Sequence, residues 1–312
     1  MISVLMSVYN ERLDWIKCAI DSILSQTYQD FEFIIIIDNP YIEKEKLEYL
    51  NDIQKKDERI IILKNDKNMG LALSMNKGLE VAKGKYIARM DADDISMPMR
   101  FEKEVAYIEN NKVDMVSSNR IIIDEDGNFI RKGEPLLEDP DVCLPFSNFI
   151  VHPSVLIKTE VINHLGGYRN FRRSQDYDLW LRLISCGYKI GIIDEYLIKY
   201  RVSESNLSNS NRLEQYYINQ YQKKLYYERL EKGYDTFSEQ QLLDYLLKKK
   251  ITQRKNKACV KAMRVLDMAK SVASENKILF LLFILKAFVV SPLISTSVIK
   301  NYLDKQRCLR KR

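Results

Sequence analysis

The segment Phe31 to Ile37 (Phe-Glu-Phe-Ile-Ile-Ile-Ile) is almost continuously apolar and ends at Asp38. A strand of that composition is expected at the centre of a sheet, covered on both faces. Its neighbours agree. Ile2 to Val8 reads as a buried strand, Ile60 to Leu63 as another and Tyr86 to Met90 as a fourth. Between them, Asn10 to Gln26 sets Leu13, Ile16, Ile20, Ile23 and Leu24 on one helical face. Glu43 to Lys55 reads as a helix, and Leu71 to Ala82 as a helix closed by Gly84. Short strands alternating with helices predict an α/β fold: a Rossmann-like, mostly parallel central sheet flanked by crossover helices.

Ligands of open α/β sheets bind beyond the carboxyl ends of the strands. Asp38 and the cluster Asp91-Ala92-Asp93-Asp94 both fall there. A turn after a strand can aim several carboxylates at one point, and Mg2+ binds through one or two carboxylates together with substrate phosphates. The cluster therefore suits a metal that clamps a diphosphate. An aspartate-rich turn capping the helix from Arg100 is the competing reading. A calcium loop fits Asp91, Asp93 and Glu102 but fails at Ile95 and at Ser96, where glycine is required. Asp38 can accept a hydrogen bond from a nucleobase imide, or serve as an Asx-turn or cap before Pro40. Gln175, Asp176, Tyr177 and Asp178 precede Trp180 in the helix Gln175 to Ser185, and either aspartate can cap it or act as a general base.

Other chemistries lack material. There is no G-K-S or G-K-T and no G-x-G-x-x-G, and His152 and His164 are the only histidines. Five scattered cysteines without C-x-x-C spacing argue for a reducing compartment and against structural zinc. Met1 to Asn10 has no signal-peptide character, so a cytoplasmic location is expected.

Beyond Pro98, Arg100 to Asn110 reads as a helix, Met115 to Ile123 as a strand and Asp126-Gly127 as a hairpin turn. Pro135 to Pro153 is irregular, and Ser203 to Asn211 is the best linker candidate. Leu213 to Lys250 and Lys255 to Ala273 are helical in pattern. Ile278 to Ile299 is strongly apolar and roughly long enough to cross a bilayer, but Lys286 and Pro292 interrupt it. The net charge of +6 sits mostly in residues 300 to 312. An apolar segment followed by a basic cluster favours a helix lying on an anionic membrane surface; the alternative is a buried helix of a bundle.

In order, Ser3 to Glu11, Ser22 to Tyr28, Phe31 to Asp38, Asn68 to Leu71, Asn76 to Leu79, Gly84 to Asp94 and Gln175 to Arg182 resemble the inverting glycosyltransferases of family 2, of the capsule and exopolysaccharide type. The resemblance spans about residues 1 to 200. It implies a GT-A fold over 1–205, with a nucleotide-sugar half (1–97) and an acceptor half (98–205), followed by a helical, membrane-associating extension (206–312). It also implies that Ser7 and Asp38 meet the nucleotide base, and that Tyr9, Asn10, Asn76, Arg89 and Asp91 complete the donor site. By the same resemblance, Asp93 and Asp91 hold Mg2+ or Mn2+, and Asp176 is the catalytic base. His152 matches a histidine near the diphosphate or acceptor, with an ordinary turn as the alternative. The implied reaction moves a sugar from a nucleotide donor, UDP-linked, to a hydroxyl of a glycan or lipid-linked glycan.

Three positions depart from the pattern. Asn39-Pro40 replaces the usual Gly-Ser region after strand two, Gln175 stands where glutamate is common, and Met75 where arginine is common. Gln175 and the altered neighbourhood of Asp38 leave a non-catalytic nucleotide-sugar-binding scaffold as the alternative function. A basic nucleic-acid-binding module rests on the tail alone and is not favoured.

Overall fold

A computed structural model describes residues 1–136, 139–203, 211–272 and 276–310, the side chains of 308–310 excepted. The chain forms two compact units, one of residues 1–141 and 149–204, the other of 142–148 and 205–312.

Among the described residues, the first unit is built on a mixed nine-stranded sheet. β1 (Ile2–Val8), β2 (Phe31–Ile37), β3 (Ile60–Lys64) and β4 (Tyr86–Asp91) form a parallel block in the order β3-β2-β1-β4. The sheet continues through β8 (Leu156–Lys158), β6 (Met115–Ile123), β9 (Ile190–Arg201) and β5 (Ile95–Ser96), with β7 (Phe129–Lys132) paired to β6. The pairings of β8, β5 and β7 are antiparallel, while β6 and β9 run parallel.

Every residue of β2 is buried, as its composition requires. Phe33, Ile35 and Ile37 join Val4, Met6 and Val8 in a core with Ile16, Ile20 and Ile23 of α1 (Leu13–Leu24), Leu50 of α2 (Lys44–Lys56) and Phe101 of α4 (Arg100–Asn111). The opposite face meets α3 (Leu71–Val81), where a Cβ on Gly78 would lie 3.0 Å from Leu5 and 3.1 Å from Ile36. Each buried isoleucine contributes about 1.5–3 kcal/mol, so an isoleucine run stabilises most where both faces are covered. Gly84 sets the entry to β4. A Cβ there would sit 2.4 Å from the Ser3 backbone nitrogen, and its N–H donates to Ser3 Oγ at 2.7 Å.

The hairpin at Asp126-Gly127 joins β6 and β7, with Gly127 at φ +89. Between Pro135 and Pro153 the described backbone is irregular apart from α5 (Pro140–Cys143) and the first residues of a 3-10 turn, His152–Ser154. α6 (Thr159–His164) and α7 (Gln175–Ser185) follow, and α7 has the bounds expected from the sequence. Strand β9 was not expected, although Ile190 to Tyr200 is rich in β-branched and tyrosine residues.

The second unit holds α8 (Arg212–Lys232), α9 (Glu239–Lys248), α10 (Gln253–Val272), α11 (Lys277–Val290) and α12 (Pro292–Arg310). Most of the linker candidate, residues 204–210, lies outside the described residues. The apolar run at 278–299 is broken at Ser291, between α11 and α12. Among the described residues no helix is long and apolar enough to cross a membrane. Cys18, Cys186 and Cys259 are free thiols.

Candidate functional site

The carboxyl end of the parallel block gathers the acidic residues. Ser7, near the end of β1, stands in register between Ile36 of β2 and Asp91 of β4. After Asp91 the chain turns, with the Asp94 N–H reaching the Asp91 carbonyl at 3.4 Å. Asp91, Asp93 and Asp94 each place a carboxylate oxygen within 4.8 Å of the others. Antiparallel pairing of β5 with β9 brings the end of β9 beside this turn. There the Arg201 N–H donates to Asp94 Oδ1 at 2.8 Å, and its guanidinium bonds the carbonyls of Asp93, Asp124 and Glu125.

Negative charge in the turn is poorly compensated. Arg89, 4% exposed, pairs with Asp91, whose charge overrides burial and raises the guanidinium pKa. Burial, reinforced by the charges of Asp91 and Glu11, pushes Asp93 up to about 7. Burial and both neighbouring aspartates push Asp94 well above the ordinary range. Asp94 Oδ2 is buried and accepts no hydrogen bond. An orphaned carboxylate oxygen beside two others is a set of hard donors that fits Mg2+ or Mn2+. Glu11, which sequence reasoning did not single out, belongs to the same field: burial and Asp91 raise its pKa, and it accepts the Tyr9 N–H at 2.7 Å.

Asp38, 3% exposed, is held by three donors. Oδ1 accepts from Asn65 Nδ2 and from the Met69 N–H, each at 2.8 Å, and Oδ2 accepts from the Gly70 N–H at 2.9 Å. It thereby fixes the loop entering α3, where Gly70 has φ +81. The Asx-turn before Pro40 belongs instead to Asn39, whose Oδ1 accepts the Tyr41 N–H. Asn39 Nδ2 also ties down Tyr9 and Asn10, which stand exposed at the rim. Met75 is fully buried, so the position that is often arginine in the resembling family belongs here to the core.

A second group forms around Tyr168. Asn76 brackets it, donating to its carbonyl and accepting its N–H, both at 2.8 Å. Gly167 makes the approach possible: its φ is +68, and a Cβ would lie 2.5 Å from Asn76 Oδ1. The Tyr168 hydroxyl meets His152 Nε2 at 2.9 Å, and the His152 ring packs edge-on against Tyr168 and Trp180. Burial, with the Arg89 charge, drives His152 well below its ordinary value, so the ring is neutral at neutral pH. Asp176 lies half-buried in the first turn of α7, and its charge adds to the burial that raises the Tyr168 phenol. The N-cap position of α7 is Ser174, with Asp176 and Asp178 both inside the first turn. Asp178 is buried and bound to Arg182 at 2.8 Å, while Arg182 also holds the Gly167 carbonyl at 2.7 Å. Asp91, Arg89, His152, Tyr168 and Asp176 thus form one electrostatically connected series.

The family model described as Glycosyl transferase family 2 matches residues 3–179. An uncharacterized glycosyltransferase of Methanocaldococcus jannaschii is 42% identical over 206 residues, covering 65% of this chain and 71% of that protein. The O-antigen biosynthesis glycosyltransferase WbnJ of Escherichia coli is 36% identical over 214 residues, 67% of this chain and 83% of that one. The crystal structure of S. aureus TarS 1-349 in complex with UDP-GlcNAc aligns over 99% of this chain and 91% of that chain, with a TM-score of 0.61 and 14% identity. That likeness concerns the fold, which is of the GT-A type.

Proposed function

Because the chain belongs to glycosyl transferase family 2, we propose that its strand-end aspartates bind a divalent cation and that it transfers a sugar, with inversion, from a UDP-linked donor to a hydroxyl of a glycan or lipid-linked glycan. The observation that carries the reading is the convergence of Asp91, Asp93 and Asp94 within 4.8 Å, with Asp94 Oδ2 left without a donor. Asp93 and Asp91 would hold Mg2+ or Mn2+, which when bound supplies charge neutralisation to a departing nucleoside diphosphate.

Each remaining residue has a role that its contacts permit. A carboxylate offers about four lone-pair positions, so Asp38 keeps one for a base imide after its three internal donors. Ser7, in register between Ile36 and Asp91, would meet the same base, and the exposed Tyr9 and Asn10 would complete the donor site. Arg89 balances Asp91 and faces the diphosphate side. Asn76 acts indirectly, by holding Tyr168, and neutral His152 presents a hydrogen-bonding ring without adding charge. Asp176 takes the proton of the acceptor hydroxyl as its oxygen bonds to the anomeric carbon and the bond to the diphosphate oxygen breaks. Residues 1–97 serve the donor and 98–205 the acceptor. The UDP-GlcNAc held by TarS and the O-antigen role in the name of WbnJ support a UDP-sugar and polysaccharide synthesis. Residues 278–312 would touch the cytoplasmic membrane surface, near a lipid-linked acceptor.

A panel of UDP-sugars assayed for UDP release with and without Mn2+ tests the reading. At least one donor is turned over only with the metal, and Asp176→Asn lowers turnover by about 10^2 to 10^4 while UDP affinity holds. No metal-dependent release from any donor, or undiminished turnover in Asp176→Asn, overturns it. Donor binding without turnover would mark the scaffold alternative.

A further inference from the structure

The second unit contains a cavity of its own. Its volume is about 650 Å³, and Phe146, Lys223, Lys224, Leu293, Ser297 and Lys300 are among the residues that line it. Lys223 is the buried member. Its ammonium donates to the Phe146 carbonyl at 2.6 Å, and burial alone pulls its pKa down to about 8. An ammonium has three N–H donors, so one carbonyl leaves most of its capacity for an acceptor. Among the described residues none of the three lysines forms an ion pair. The acid in the cavity wall, Asp304, is paired with Arg307. Three cations gathered around a space with hydroxyl groups and no uncommitted carboxylate suit a phosphate.

The same unit exposes an apolar helix face. Ile278, Leu281, Leu282, Leu285 and Val289 recur at helical spacing along α11 and are 56–86% exposed. The other side of α11 is used, with Phe283, Ile284 and Ala287 packed on Val265 and Leu266 of α10. Leu293, 54% exposed, lies in the first turn of α12 and lines the lysine cavity. An exposed hydrocarbon surface and a basic cavity of about 650 Å³ thus belong to the same unit, with an exposed apolar residue in the cavity wall. A lipid with an anionic phosphate headgroup has both chemistries in one molecule.

We propose that the cavity between α8 and α12 binds the phosphate of an anionic membrane lipid whose hydrocarbon lies along the exposed face of α11. The proposal rests on the membrane-facing reading of residues 278–312. A second copy of the chain would cover the apolar stripe but would leave the lysines without anions.

Flotation of the full chain on vesicles of phosphatidylcholine, with and without phosphatidylglycerol, tests it. The wild type binds both, and phosphatidylglycerol tightens binding. Lys224→Glu with Lys300→Glu weakens binding to the anionic vesicles about tenfold and leaves the neutral ones unchanged. Lys257→Glu with Lys261→Glu, an equal change of charge at exposed positions of α10 outside the cavity, has a smaller effect. Leu281→Glu with Leu285→Glu, at exposed positions, abolishes binding to both. If the cavity variant keeps the full anionic preference, or the α10 pair loses as much, the cavity assignment falls and the membrane reading stands. A wild type that floats on neither vesicle, or a dimer dissolved by the leucine substitutions, overturns both. Failure at the vesicle leaves UDP release untouched, so it is separable from failure of the transferase reading.

Discussion

Asp93 and Asp94 differ by one position and by what surrounds them. Asp94 is buried and already committed through one oxygen to the β9 backbone, while Asp93 lies at the edge of the turn among Asp91, Glu11 and Arg89. His152 gives the site its clearest pH signature. Its folded-state pKa lies well below 6.5, so the unfolded chain binds the proton more readily than the folded one. Stability from this residue is fully present above 6.5 and is lost as pH falls through the interval below it. The limiting slope is about 1.4 kcal/mol per pH unit. Urea denaturation across pH 5 to 7 should show that slope reduced in His152→Gln, and an identical slope would contradict neutral burial of the ring. The identity of the acidic cluster was legible in the sequence, because strand-end aspartates stand out against an apolar background. The condition of each carboxylate was not, since it depends on Arg201 and Glu11, which are distant along the chain.

At the level of elements, the site is a set of loops clamped by buried and part-buried side chains. Asp38 fixes the entrance to α3, and Asn76, within that helix, holds the loop that carries Tyr168. Asn76→Ala removes both hydrogen bonds and leaves two backbone groups to find other partners. It is expected to cost about 1–3 kcal/mol, measured by urea denaturation, and a change near zero would show that the bracket is dispensable. The parallel block was readable because its strands are short apolar runs bounded by helices. β9 is different: Asp194, Glu195 and Lys199 interrupt its apolar residues, and its length comes from pairing with β6 and β5, which no local pattern reports. The antiparallel additions of two to four residues, β5, β7 and β8, are likewise created by their partners.

Across the whole molecule, every residue assigned to donor, metal or base belongs to the first unit, and the lysine cavity with its apolar stripe belongs to the second. Residues 142–148 cross this division in sequence: they sit within the first region of the chain but cluster with its C-terminal helices. Composition could not reveal this, because the clustering is a matter of tertiary contact. The central claim is that the aspartate turn binds a nucleoside diphosphate through a divalent cation. Isothermal titration of UDP into the full chain measures it directly. Binding should be seen with Mn2+, vanish with a chelator and weaken in Asp93→Asn by about 100-fold, the upper end of what even an outer metal partner is worth. UDP affinity unchanged by the chelator and by Asp93→Asn would contradict it.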